Sequence, residues 1–269
     1  MRLCRSWADL QRRAVHPLKV LLAAVCLSLA LPFAACQARD LVVFGEPTLL
    51  NALQRVGAAW RARSGYRVNV FMAPSDLSFA QIQRGARCDL VFALVGSATD
   101  DAERQGIIRS RPTAPSLRNS LLLVARSDSA STIAPSSQKE LAGFVKGKRL
   151  AIANPDRDPA GTHGLRWLRE TGLAGENDKN LLVAESAAGV VKVLSDGSAQ
   201  LGIVYATDAA ARSDLVALMT LPDNNERAIE YVAVEAIDPQ SATKPFLDFI
   251  RSPEAHAILQ AAGLQVAGE

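Results

Sequence analysis

A tyrosine ends one of the short apolar segments of this chain. Tyr205 closes Leu201–Tyr205, and Ala206, Thr207 and Asp208 then begin a helical pattern. Ligands of open α/β sheets bind at the carboxyl ends of strands, where a phenol can donate a hydrogen bond to them. The alternative is a core tyrosine whose hydroxyl bonds a nearby carbonyl. Both interpretations stay open on this segment alone.

Four more strand-to-helix junctions carry small or hydroxyl residues where a helix begins. They are 45–48 (Gly-Glu-Pro-Thr), 73–76 (Ala-Pro-Ser-Asp), 159–162 (Pro-Ala-Gly-Thr) and 186–189 (Ser-Ala-Ala-Gly). The first turn of a helix presents unpaired N–H groups and a partial positive charge, so it binds oxyanions without Lys or Arg. Ser, Thr and Asp also cap helices for purely structural reasons. Only convergence of several junctions would therefore make a site.

The elements that must position these junctions follow from the hydrophobic pattern. Apolar runs of four to seven residues alternate with amphipathic stretches, which predicts an α/β fold with parallel sheets covered by helices. The first helix is marked by a stripe of Leu49, Leu53, Val56 and Trp60, which is typical of a core face. Predicted strands are 41–44, 67–71, 89–94, 120–125, 149–153, 181–184, 201–205, 215–221 and 229–234. The other predicted helices are 77–84, 97–105, 138–145, 161–171, 189–194, 243–250 and 253–262.

Two segments, 118–121 and 222–226, look like passages between two halves of the chain. They predict one lobe of residues 39–119 plus 225–269 and a second lobe of residues 120–224. Two lobes joined by paired crossovers can close over a ligand like a hinge.

Residues 1–38 read as a secretory signal peptide. Four arginines and Lys19 precede the apolar run Val20–Leu31, and small residues follow at 34–38. We therefore expect a periplasmic or otherwise exported protein. Cys36 offers an alternative to simple cleavage, because Phe33-Ala34-Ala35-Cys36 is a loose lipobox that would carry a lipid anchor.

Removal of the predicted signal peptide changes the net charge of the chain and therefore the function classes that this charge indicates. Residues 1–38 hold five of the 30 basic and one of the 27 acidic residues, which leaves 25 and 26. A nearly neutral mature chain gives no reason to expect nucleic acid as a partner. The chain after residue 38 has two of the three histidines and Cys88 as its one secure cysteine, and it has no hydrolase, metalloprotease or nucleotide-binding motif, which argues against an enzyme.

Landmarks of one further pattern are spread over residues 40 to 265. The most specific are Pro159-Ala160-Gly161 and Leu201–Tyr205 with Asp208-Ala209. The others are Phe44–Leu49 with Asn51-Ala52-Leu53, Gln81-Ile82 with Gly85-Ala86 and Asp89-Leu90, Asn119-Ser120-Leu121, and Arg149-Leu150-Ala151 with Pro155. In their order and spacing these landmarks resemble the periplasmic molybdate-binding proteins of ABC transporters. The resemblance implies a two-lobed type II periplasmic-binding-protein fold, with mostly parallel sheets flanked by helices and a ligand cleft between the lobes.

The resemblance also implies a site and a role. Thr48 and Ser75 supply hydroxyls, Ala160 and Ala187 supply backbone N–H groups, and Tyr205 supplies its phenol. The ligand is a tetrahedral oxyanion, molybdate or tungstate, and no cofactor is expected. The protein acts as a monomer and delivers the ligand to an ABC permease in the inner membrane.

Two acidic residues depart from that pattern. Glu46 precedes the first hydroxyl and Asp76 follows the second, where small neutral residues are usual in the family. A carboxylate about 6 Å from a dianion, at an effective dielectric constant of ~20, is repelled by roughly 5 kcal/mol before solvent reduces it. Either these side chains turn outward, with Asp76 as a helix cap, or the cleft takes another small solute. A metal site of His163 with Glu46 and Asp76 lacks any recognised spacing, and His256 has no assigned role.

Overall fold

Two β-sheets with flanking helices form the fold in the computed structural model. The structure describes residues 40–109, 117–128, 138–174, 179–222 and 229–266. The predicted signal peptide and Cys36 lie outside these residues. Within them, no helix combines the length and apolar character that a membrane crossing requires.

The first sheet has six strands in the order β11-β4-β10-β3-β1-β2. Its strands are β1 (Leu41–Gly45), β2 (Val68–Met72), β3 (Leu90–Leu94), β4 (Leu117–Asn119), β10 (Ile229–Glu235) and β11 (Leu264–Val266). The helices belonging to this part of the chain are α1 (Leu50–Ser64), α2 (Ser75–Gln83), α3 (Ser97–Arg104), α8 (Thr243–Ile250) and α9 (Pro253–Ala261). A single 3₁₀ turn, Pro47–Leu49, leads from β1 toward α1.

The second sheet has five strands in the order β7-β6-β8-β5-β9. Its strands are β5 (Leu121–Arg126), β6 (Leu150–Ala153), β7 (Leu181–Ala184), β8 (Leu201–Tyr205) and β9 (Leu215–Thr220). Its helices are α4 (Gln138–Val145), α5 (Pro159–Glu170), α6 (Ala187–Ser195) and α7 (Ala206–Ala210). Strand β8 is buried along its whole length, as its unbroken apolar sequence predicts.

The expectation of mostly parallel sheets is wrong in detail, because both sheets are mixed. β1 pairs in parallel with β2 and β3, and β6 with β7 and β8. The pairings of β10 with β3 and β4, and of β5 with β8 and β9, are antiparallel. Each antiparallel pair contains a strand that lies next to a passage between the sheets. β4 and β5, which belong to different sheets, are joined by Ser120 alone, and the chain returns to the first sheet between β9 and β10.

Most predicted elements are present, and their ends shift by a few residues. The stripe of Leu49, Leu53, Val56 and Trp60 is buried, and the Trp60 ring packs against Phe246 and Phe249 at 5.7 and 5.5 Å between centroids. Strand β11 was not predicted, because three residues give too little alternation to detect. Cys88 is buried and unpaired, and burial raises the pKa of its thiol to about 12.

Gly161 sets how closely α5 approaches the sheet. A Cβ at Gly161 would lie 2.3 Å from the carbonyl oxygen of Ala153, at the end of β6. The absence of a side chain therefore lets the first turn of α5 pack directly on the strand end.

Gly161→Ala should destabilise the protein by roughly 2–3 kcal/mol, because the clash is with backbone that cannot rotate away. Gly143→Ala is the matched control, since that exposed helical glycine has open space where its Cβ would be. The control should be neutral or more stable by about 0.5–1 kcal/mol. Denaturant unfolding measures both, and equal effects of the two substitutions would contradict the packing argument.

Candidate functional site

Four of the five predicted donors, Thr48, Ser75, Ala187 and Tyr205, line one cleft of about 710 Å³. The N–H of the fifth, Ala160, donates to Asp158, which lines the same cleft. The acidic residues Glu46, Asp76, Asp158 and Asp208 also line it. Strand ends and helix starts from both sheets thus meet at one place, which is what the junction pattern required.

On the side of the second sheet, three donors converge on the carboxylate of Asp158. Oδ1 accepts hydrogen bonds from the N–H of Ala160 at 2.9 Å and from the hydroxyl of Tyr205 at 3.0 Å. Oδ2 accepts from the N–H of Ala187 at 2.8 Å. These are the three second-lobe donors expected from the sequence, and one side chain of the protein satisfies all of them.

Local sequence explains why Asp158 lies there. It is the N-cap of α5 and precedes Pro159, which is preorganised for the first helical position. Ser186 caps α6 by accepting from the N–H of Gly189 at 3.2 Å, which leaves the N–H of Ala187 free for another acceptor. Tyr205 is 4% exposed, and the partner of its hydroxyl, Asp158, lines the same cleft.

On the side of the first sheet, Glu46 accepts two hydrogen bonds from Ser75. Oε1 of Glu46 accepts from the N–H of Ser75 at 2.7 Å and from its hydroxyl in a short contact. The Ser75 hydroxyl in turn accepts from the N–H of Leu94 at 2.9 Å. Glu46 therefore faces the cleft and does not point to solvent.

The hydroxyl of Thr48 is engaged as well. Its Oγ1 lies 2.8 Å from the hydroxyl of Tyr231, a fully buried residue of β10. Burial raises the pKa of Tyr231 to about 12, although hydrogen bonds with Thr48 and Asn119 oppose the shift. Of the two hydroxyls expected from the first lobe, one is bound to a carboxylate and the other to a phenol.

The electrostatics of the cleft are dominated by acids. Burial raises the pKa of Glu46, and the charges of Asp76 and Asp158 add to that effect against the hydrogen bonds from Ser75. Burial, together with the charge of Asp158, also raises the pKa of Tyr205, so its phenol stays protonated and acts as a donor. The cation at the rim, Arg157, is exposed and pairs with Glu185 at 3.0 Å.

Other predicted residues lie as follows. Asp76 is exposed at the cleft margin, in the first turn of α2. His163 lines a separate cavity of about 20 Å³ together with Asn119 and Trp167. Across the described ranges, no group of three or more His, Cys, Asp or Glu is arranged to hold a metal ion. His256 lies in α9.

Sequence reasoning missed Asp158. A signal was available, because an Asp directly before Pro159 is a helix-capping pattern two residues from a predicted donor. The pattern predicts a cap for α5, whereas the bonds to Ala187 and Tyr205 depend on how α6 and β8 pack beside it.

Comparison with known families decides what kind of protein carries this cleft. Residues 41–265 match the family described as bacterial extracellular solute-binding protein. The chain belongs to this family. The resemblance drawn from sequence landmarks is thereby confirmed at the level of the family.

Relatives span most of the chain. The molybdate-binding protein ModA of Escherichia coli is 28% identical over 84% of this chain and 89% of its own length. The substrate-binding domain of a putative molybdenum ABC transporter from Clostridium difficile superposes with a TM-score of 0.70 at 19% identity, covering 85% of this chain and 99% of that one. The periplasmic molybdate-binding protein of Azotobacter vinelandii superposes with a TM-score of 0.65 at 22% identity, covering 85% of this chain and 100% of that one. The two structures confirm the two-sheet α/β fold class.

Asp208 gives a prediction about stability and pH. Its Oδ2 is buried without a hydrogen-bond partner among the described residues, and burial, with the charge of Asp158, raises its pKa to about 6. The folded protein therefore binds this proton more tightly than the unfolded chain, so the free energy of unfolding falls as the pH rises from about 4 to about 6.

Asp208→Asn removes that loss and should stabilise the protein by about 1–2 kcal/mol near neutral pH, with little gain near pH 4. Denaturant unfolding at both pH values measures the difference. Asp156→Asn, at an exposed position in the loop before α5, is the control. A gain for Asp208→Asn that is equal at both pH values would contradict the assignment.

Proposed function

We propose that this chain is an exported solute-binding protein of an ABC importer, and that its cleft captures a tetrahedral oxyanion, molybdate or tungstate. The observation that carries the proposal is the convergence of donors from five separate segments on one cleft. Backbone N–H groups at helix starts, joined by hydroxyl donors, suit an oxyanion without any cationic side chain. In this role Thr48, Ser75, Ala160, Ala187 and Tyr205 are the ligand-binding residues.

The relatives support the same ligand class. The Escherichia coli and Azotobacter vinelandii proteins are named for molybdate, and the Clostridium difficile structure is titled a putative molybdenum transporter domain. We propose accordingly that the protein captures and releases its ligand without turnover, and that it needs no cofactor.

The rest of the transport role is proposed on the sequence. Residues 1–38 direct export to the periplasm, with Cys36 as an alternative lipid anchor, and a monomer delivers the ligand to a permease. We propose lobes of residues 39–119 with 225–269, and of residues 120–224. Their support is that the strands change sheet between β4 and β5 and again between β9 and β10.

A second candidate is a different small solute in the same cleft. The observation that favours it is the pair of carboxylates, Glu46 and Asp158, bound to donors that an oxyanion would use. Asp76 adds a third negative charge at the margin. A dianion entering beside these charges meets a repulsion of several kcal/mol unless they move or take up protons.

Calorimetric titration of the mature protein distinguishes the candidates. Molybdate or tungstate should bind at one site per chain, because the donors of one cleft can surround one anion. Sulfate and phosphate, titrated in parallel, test how selective the cleft is. No binding heat and no thermal shift with any of the four would contradict the oxyanion proposal.

A tyrosine pair provides the control for that titration. Tyr205→Phe should weaken molybdate binding by about tenfold, because one donor to the anion is lost. Tyr66→Phe removes the hydroxyl of a tyrosine that does not line the cleft and should leave the affinity unchanged. If both variants bind molybdate with equal affinity, the hydroxyl of Tyr205 is not part of the binding site.

Glu46→Ala combined with Asp76→Gly tests the acidic residues directly. If the two carboxylates oppose an anion, the double variant should bind molybdate at least about tenfold more tightly than the parent protein. Calorimetry at neutral pH measures the change. An unchanged affinity for molybdate would show that these charges do not determine which ligand the cleft binds.

A further inference from the structure

The carboxylate of Asp158 does more than cap a helix. An N-cap side chain accepts from the N–H groups of its own first turn. Ser186 and Ser252 behave in that way, and each accepts from one N–H of its own helix, Gly189 and Ala255. Asp158 accepts from Ala160 of its own helix, but also from the start of α6 and from the end of β8.

The three bonds divide between the two carboxylate oxygens of Asp158. Oδ1 takes the hydroxyl of Tyr205 and the N–H of Ala160, and Oδ2 takes the N–H of Ala187. Short bonds of 2.8 to 3.0 Å to a charged acceptor are stronger than bonds between neutral groups. A ligand oxyanion needs these same donors, and they cannot serve both at once.

We propose that Asp158 is a specificity-determining residue of the cleft, because its carboxylate occupies the oxyanion position on the side of the second sheet and competes with the solute for the three donors. The inference rests on the proposed function, since it concerns which oxyanion can enter that site. A solute binds only when it displaces this side chain. The apparent affinity of the solute is therefore its intrinsic affinity multiplied by the fraction of molecules in which Asp158 has left the donors.

Among the described residues that line the cleft on the second-sheet side, no cationic side chain pairs with Asp158. Arg157, its sequence neighbour, is paired with Glu185 at 3.0 Å and is exposed. Asp208, beside Tyr205, is a further acid. A solute must therefore bring strong acceptors that suit the three donors, which excludes weakly binding anions.

The test compares Asp158→Ser with Asp156→Ser. Serine keeps a capping hydroxyl for α5 and removes the carboxylate, so the helix start is preserved. Asp156 lies two residues earlier, is exposed and does not line the cleft, and its replacement removes the same charge. Molybdate affinity is measured by calorimetry, and thermal unfolding is followed in roughly 0.1 M sodium formate against sodium chloride of equal ionic strength.

We expect Asp158→Ser to bind molybdate at least about tenfold more tightly than the parent protein. Formate, a free carboxylate, should raise the melting temperature of Asp158→Ser and leave those of the parent and of Asp156→Ser unchanged. If the parent binds molybdate, and Asp158→Ser binds it no more tightly and gains nothing from formate, the inference is overturned and the proposed function stands.

A third outcome separates the two claims in the other direction. Stabilisation of Asp158→Ser by formate, with no molybdate binding by any variant, would support the role of the Asp158 carboxylate and overturn the oxyanion ligand. Should Asp158→Ser fail to fold, Asp158→Asn keeps the cap and the side-chain size but offers one acceptor oxygen. It should then give a smaller gain in molybdate affinity, and no gain would overturn the inference.

Discussion

The three hydrogen bonds to Asp158 are the constraint on which the site depends. They tie the start of α5, the start of α6 and the end of β8 to one carboxylate. Buried donors without a partner cost free energy, so a cleft built from helix starts must satisfy them with ligand, water or its own side chains. In this protein a side chain does so, and the second half of the cleft is held together by it.

On the first-sheet side of the cleft, other side chains of the protein satisfy the donors in the same way. Glu46 accepts hydrogen bonds from Ser75, and the hydroxyls of Tyr231 and Thr48 bond to each other, so the predicted donors of both halves are engaged within the protein. The donors proposed for an anion and a set of internal acids therefore lie in the same cleft. Which solute binds depends on whether it displaces these carboxylates or binds to them. Ligand choice therefore depends on where the carboxylates lie and on whether they are protonated.

The fold was largely predictable, because long amphipathic and apolar patterns define α1, β8 and most other elements without knowledge of packing. The five predicted ligand-binding residues came from the family landmarks; Thr48, Ser75, Ala187 and Tyr205 line one cleft, and Ala160 bonds to Asp158 beside them. Asp158 could not be given its role, since its partners at Ala187 and Tyr205 lie 29 and 47 residues away along the chain. β11 and the mixed strand directions also depend on long-range pairing, which short apolar segments do not encode locally.

We propose above that the carboxylate of Asp158 and the oxygen atoms of a ligand use the same three donors. A crystal structure of Asp158→Ser grown with molybdate is the most direct test. We predict molybdate oxygens within hydrogen-bond distance of the N–H groups of Ala160 and Ala187 and of the Tyr205 hydroxyl. Molybdate bound elsewhere, with these three donors facing water, would contradict it.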